Sequence, residues 1–71
     1  MSIDRYQLAA SYMQIFIQWH KSDEVMKLAY APTKDELKRA LIVSGIRPDT
    51  IKDLEMLALQ VQDINDEING N

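Results

Sequence analysis

Few residues of this chain have the types and spacing that catalysis requires, and the best candidate is His20. It is the single histidine of 71 residues, and Ser22 and Asp23 follow it closely. A serine nucleophile must be held within hydrogen-bond reach of its base, which chain neighbours at a helix end seldom achieve. The absence of cysteine and of a second histidine excludes thiolate sites and multi-histidine sites within one chain. We therefore expect no catalytic residue, no metal site, no cofactor and no enzymatic activity.

An acidic cluster near the end of the chain is the second candidate, formed by Asp63, Asp66 and Glu67. On a helix Asp63 lies one turn from each of the other two, so the three carboxylates share a side. No turn glycine accompanies them, which argues against a calcium-binding loop. Acids near a helix C-terminus oppose the macrodipole, and this small cost favours a use for them. One alternative function is therefore an acidic inhibitor of a basic, nucleic-acid-binding protein.

A basic patch in the middle of the chain is the third candidate, because it flanks a segment that approximates a helix-turn-helix. The second helix of that segment would enter the major groove, yet it begins with Asp49, Asp53 and Glu55 against one lysine, Lys52. Three carboxylates oppose binding to a phosphate-lined groove. A DNA-binding regulator is therefore kept as an alternative only, and nucleic acid is not the expected partner. The patch comprises Lys34, Lys38, Arg39 and Arg47, and the helix-turn-helix pattern comprises Ala40, Gly45, Ile51 and Leu54.

Helix-start and helix-stop signals predict an all-α bundle of four helices, at about residues 3–20, 23–30, 34–44 and 49–68, within one domain, 1–71. Ser2 is the predicted cap of the first helix. Pro32 disfavours helical geometry at the residue before it and ends the second helix. Thr33 and Glu36 have the spacing of a capping box that starts the third. Gly45 stops the third helix, and Pro48 or Asp49 starts the fourth.

The first helix carries more apolar residues than one side of a helix can hold. Ile3, Tyr6, Ala10, Met13, Phe16 and Ile17 form one face at about 100° per residue. A second apolar row is separated from this face by more than a quarter turn. Such a helix is central in its domain or covered on two sides. We predict that the row is a partner interface, with cover by Met26 and Tyr30 of the same chain as the alternative. The row comprises Leu8, Tyr12, Ile15 and Trp19.

The last helix has its apolar residues at three-and-four spacing, from Ile51 to Ile68, and is expected to pack on the first helix as a core element. So short a chain buries only about 60% of its unfolded surface, so its core is marginal. Of the features that commonly stabilise small domains, its composition permits only oligomerisation. The net charge is −3, and no leader or membrane segment is expected. The sequence thus predicts a cytoplasmic, acidic, non-catalytic regulatory or adaptor protein that binds protein partners and forms a homodimer.

Overall fold

The computed structural model describes residues 4–70 and confirms the all-α class, but it contains three helices in this range. These are α1 (Arg5–Lys21), α2 (Glu24–Val43) and α3 (Pro48–Asn69). Asp4 caps α1, its carboxylate accepting the Tyr6 backbone N–H at 2.9 Å. The predicted cap Ser2 and the predicted first helical residue Ile3 lie outside the described residues. The four-helix bundle expected from the sequence is wrong, because the second and third predicted helices are one.

Helix α2 runs without a break through Pro32, which is the reason for this correction. Proline has no N–H to donate to the carbonyl four residues earlier, here that of Leu28. Both residues lie on the exposed side of α2, where water can take the place of the missing donor. Packing holds the two halves in line, because Lys27 before the proline and Lys34 after it both lie against the ring of Trp19 in α1. Tertiary contact has overridden a local stop signal.

The predicted capping box does not form, because no helix begins at Thr33. Thr33 stands in the interior of α2, where its backbone N–H belongs to the helix and needs no cap. The start of α2 is made instead by Asp23, whose carboxylate accepts the Met26 backbone N–H at 2.9 Å. A residue pattern that can cap a helix does so only where the preceding chain leaves the helix.

The turn between α2 and α3 follows the sequence prediction. Gly45 has φ 103°, the left-handed conformation that costs a glycine nothing sterically. Its N–H bonds to the Ile42 carbonyl at 3.1 Å, and the Ile46 N–H bonds to the Leu41 carbonyl at 3.0 Å. These two bonds form a Schellman motif, which satisfies the last carbonyls of α2. Pro48 is then the first residue of α3, where a missing N–H is harmless.

Helix α1 is the central element, since it packs on both other helices while α2 and α3 barely touch. Its most extensive contact is with α2, whereas the sequence favoured the last helix. The second half of the first apolar face and the second apolar row thus pack within the chain, whereas Tyr6 and Ala10 of the first face are exposed. The molecule measures 42 × 26 × 23 Å, and it is elongated because α3 extends beyond the core. The buried core residues are Tyr12, Phe16, Leu41, Ile51 and Ala58.

Candidate functional site

The predicted interface row on α1 lies against the rest of the chain. Tyr12 is completely buried, while Leu8, Ile15 and Trp19 are partly buried and pack on the core. The Trp19 ring is flanked by two lysines of α2, with the Lys27 and Lys34 ammonium groups 5.0 and 4.7 Å from its centre. Cations at this distance are attracted to the face of an indole ring. The row therefore offers a partner little accessible surface in this state of the molecule.

His20 is exposed at the end of α1, and its ring stacks on that of Phe16 with 6.3 Å between centres. The Ser22 hydroxyl donates to the Gln18 carbonyl, one turn back along the chain. The serine is thus engaged with the end of α1 and is not directed at the imidazole. A base and a nucleophile that share no hydrogen bond do not make a catalytic pair.

The basic patch is divided by the fold. Lys34 lies within 3.4 Å of the Asp35 carboxylate and against Trp19, so its charge is already engaged within the chain. Lys38 is half-buried on α2, whereas Arg39 and Arg47 are exposed. The helix-turn-helix positions do surround the turn at Gly45, with Ile51 buried beneath it. Two exposed arginines on different elements can make few contacts with a phosphate backbone.

The acidic cluster lies on the exposed second half of α3. The Asp66 carboxylate accepts a hydrogen bond of 2.7 Å from the Gln62 amide, which fixes its direction along the helix. Among residues 4–70 no group of three acidic, histidine or cysteine side chains is arranged to hold a metal ion. The same half of α3 also carries the exposed apolar side chains of Val61, Ile64 and Ile68.

An exposed apolar surface on α3, missed by the sequence analysis, is the most notable surface feature of the molecule. We call it the α3 stripe: Leu57, Val61, Ile64 and Ile68. These four side chains are 43–71% exposed, while Ile51 and Ala58 of the same helix are completely buried. At about 100° per residue the stripe lies roughly a quarter turn away from the side that bears Ile51 and Ala58. Counting all these residues as one core face concealed that division, which a helical projection reveals.

A groove continues the α3 stripe toward the start of α3. It has a volume of about 310 Å³ and lies between the first turns of α1, the α2–α3 turn and the first turns of α3. Most of its wall is apolar, and Arg5 contributes the one charged side chain. The lining residues are Arg5, Tyr6, Ala9, Ile46, Thr50 and Leu54. Stripe and groove together form a continuous apolar track along one side of α3.

The Tyr12 hydroxyl is buried and forms no hydrogen bond of good geometry within the described part of the chain, although the Glu55 carboxylate lies close enough to act on it. Burial raises the pKa of Tyr12 to about 12, and the negative charge of Glu55 on α3 adds to the effect. Asp35 on α2 contributes in the same direction. The tyrosine is therefore neutral at physiological pH, and its role is to fill the junction of the three helices.

Replacing Tyr12 by phenylalanine is expected to make folding less sensitive to alkali. Tyrosine ionises near pH 10 in an unfolded chain, and here the folded pKa is about 12. The stabilisation is therefore complete below about pH 10 and is lost as the pH rises toward 12. Thermal melts of both proteins at about pH 8 and about pH 11 measure the difference. Equal alkaline losses in wild type and variant would show that Tyr12 is not the group responsible.

No family model, curated protein or solved structure is significantly similar to this chain. Among the described residues, no helix has the length and apolar character needed to cross a bilayer.

Proposed function

We propose that this chain is a small non-catalytic regulatory or adaptor protein that acts by protein–protein contact through the α3 stripe, and that it self-associates there. The observation that carries the proposal is the exposure of four aliphatic side chains along one side of α3, beyond the reach of α1 and α2. From Gln60 to Gly70 only Gln62 is even partly buried. This half of the helix thus stands clear of its own core.

An exposed aliphatic row at three-and-four spacing is the pattern by which helices recognise grooves and other helices. Scattered apolar residues on a surface need no explanation, but a contiguous row marks an interface. The exposed row would also add stability to the short chain if a partner covered it. Burying it against a partner adds apolar contact to a small core, in which five side chains of the described residues are buried.

The two other candidate functions have less support from the geometry. Duplex DNA would meet Asp49 and Asp53 on the exposed start of α3, while Lys34 is held by Asp35 and Trp19. A basic protein could contact Asp63 and Asp66, but at about 100° per residue these carboxylates lie on the side of α3 away from the stripe, and Asp66 already accepts a hydrogen bond from Gln62. They are better explained as a solvated surface on the side of α3 opposite the apolar contact, which keeps the separated chains soluble.

Replacing Val61 and Ile64 together by glutamine is expected to weaken self-association at least a hundredfold. Fully burying one such side chain contributes about 1.5–3 kcal/mol, and each is roughly half exposed in the single chain. The four side chains of a dimer then contribute about 3–6 kcal/mol, and each tenfold in affinity equals about 1.4 kcal/mol. Sedimentation at micromolar concentrations should show a wild-type dimer and a monomeric variant with unchanged helicity.

The chain contains a matched control for this experiment. Val25 and Leu28 lie on α2 and are 74% and 78% exposed, so their conversion to glutamine removes a similar apolar surface elsewhere. That control should sediment as the wild type does. A wild-type chain that remains monomeric, or a control that loses association as strongly as the stripe variant, contradicts the proposed function.

A further inference from the structure

The α3 stripe and the groove beside it share the spacing of a coiled-coil seam. Thr50 and Leu54 line the groove, and the stripe continues from Leu57. From Thr50 to Ile68 the steps along the chain alternate between four and three residues. This alternation keeps a seam facing a second helix over its length, with each side chain inserted between side chains of the partner. A helix that only covered its own core would need no such seam outside that core.

We propose that the seam is filled by α3 of a second copy of this chain, running antiparallel and centred on Leu59, with Ile68 of the second copy seated in the groove. This arrangement rests on the proposed function and specifies its geometry. Residues equally distant from Leu59 on either side then face each other. Leu57 meets Val61 of the second copy, Leu54 meets Ile64, and Thr50 meets Ile68. Each aliphatic residue of the α3 stripe therefore finds a seam position opposite it, and the two-fold symmetry supplies every contact twice.

The shape of the molecule favours the antiparallel direction. The first half of α3 is accompanied by α1 and bears the groove, with Tyr6 and Ile46 on its walls. The second half is a bare helix. Antiparallel pairing lays the bare half of each copy against the grooved half of the other, so that both grooves are filled. Parallel pairing sets groove beside groove, leaves both without an occupant and leaves the bare halves in contact only with each other.

The separation of the two acidic clusters favours the same direction, although that direction also sets Asp53 near Glu67 of the second copy. Parallel pairing brings the acidic clusters of both copies to one end of the dimer, where like charges repel. Antiparallel pairing places the two Asp66 residues about 21 Å apart along the axis, at 1.5 Å per residue. That separation exceeds the Debye length of about 8 Å at physiological salt. It also sets the two helix dipoles antiparallel and side by side, which is the favourable orientation for neighbouring helices.

Disulfide trapping tests the direction and the register, since the chain has no cysteine of its own. Thr50→Cys and Ile68→Cys are prepared as separate proteins, one of them carrying a mass tag, and are mixed in a glutathione redox buffer. We expect the mixed disulfide, which joins the Thr50→Cys chain to the Ile68→Cys chain, to form well over about half of all cross-links, the share that random pairing gives. Val25→Cys mixed with Ile68→Cys is the control, and it should trap only at the level of random collision.

Symmetric disulfides of Ile68→Cys in excess over the mixed product would overturn the arrangement, because they indicate parallel chains. A wild-type dimer in sedimentation that yields no mixed disulfide also refutes this register, while leaving the proposed function intact. A wild-type monomer refutes the proposed function itself. The two failures are thus distinguished by experiments on the same protein.

A charge substitution provides a second measurement that needs no cross-link. The proposed register brings Glu67 of the second copy beside Asp53, a like-charge pair that opposes association. Asp53→Lys converts it into an attractive pair, so the dimer should become several-fold tighter at low salt, and the gain should shrink as salt is added. In a parallel pair Asp53 faces Ala58 of the other chain, and the affinity would not rise. An unchanged or weaker dimer therefore contradicts the antiparallel register.

Discussion

Ile51→Ala is expected to lower the free energy of unfolding by about 2–5 kcal/mol, the largest single loss on α3. The Ile51 side chain is completely buried among Tyr12, Phe16 and Leu41 in the shared core. Truncation removes its transfer free energy and leaves a cavity that a close-packed core fills only in part. Urea unfolding, followed by circular dichroism, measures the change in midpoint. A domain this small can lose most of its stability in one such step.

Ile64→Ala is the matched control, because it makes the same substitution on the same helix at a site that is 55% exposed. In dilute solution, where the chain is monomeric, it should cost less than about 1 kcal/mol, as for other exposed sites. The same variant should weaken the dimer. Equal losses for Ile51→Ala and Ile64→Ala in the monomer would show that the second half of α3 packs on the core, and would remove the basis of the α3 stripe.

Pro32→Ala is expected to raise the free energy of unfolding by about 2–3 kcal/mol. Proline in a helix interior costs about 3 kcal/mol relative to alanine, and alanine restores a donor to the Leu28 carbonyl. Part of this gain is offset because proline also restricts the unfolded chain, by about 0.4–1 kcal/mol. Urea unfolding midpoints at equal m-values give the comparison, and helicity should rise or stay constant.

Pro48→Ala is the control for this substitution, since Pro48 is the first residue of α3, where proline fits the helix. It should be neutral or should cost up to about 1 kcal/mol through the greater freedom of the unfolded chain. If Pro32→Ala destabilises the protein instead, then the bend imposed by Pro32 is required for α2 to follow α1. In that case α2 behaves as two segments, as the sequence alone suggested.

Local signals in the sequence determined the helical class and most helix ends. Asp23 caps α2, Gly45 ends it with φ 103°, and Pro48 begins α3. Each of these depends on interactions within about five residues, such as a carboxylate reaching a backbone N–H or a glycine adopting a left-handed conformation. Interactions of this range depend only on the order of neighbouring residues, so they can be predicted without knowledge of the tertiary structure.

The candidate site could be predicted only in part. The sequence identified α1 as a helix with two apolar faces and indicated that such a helix is central or covered on two sides. The structure covers it with α2 and α3. The acidic cluster of Asp63, Asp66 and Glu67 lies on the exposed half of α3, and its use by a partner stays a prediction. The sequence could not divide the apolar residues of α3 into core and surface, because that division depends on where the neighbouring helices stop.

Tertiary structure decided two matters that no local pattern contains. Helix α2 continues through Pro32, at a cost of about 3 kcal/mol, because the helix packs on α1 on both sides of the proline, with Lys27 and Lys34 against Trp19. The second half of α3 is exposed because α1 and α2 pack chiefly on each other and leave it without a neighbour. An apolar residue every three or four positions predicts that a helix has a face to bury. Which molecule buries that face depends on the lengths and crossing of the other helices, and these are properties of the whole chain.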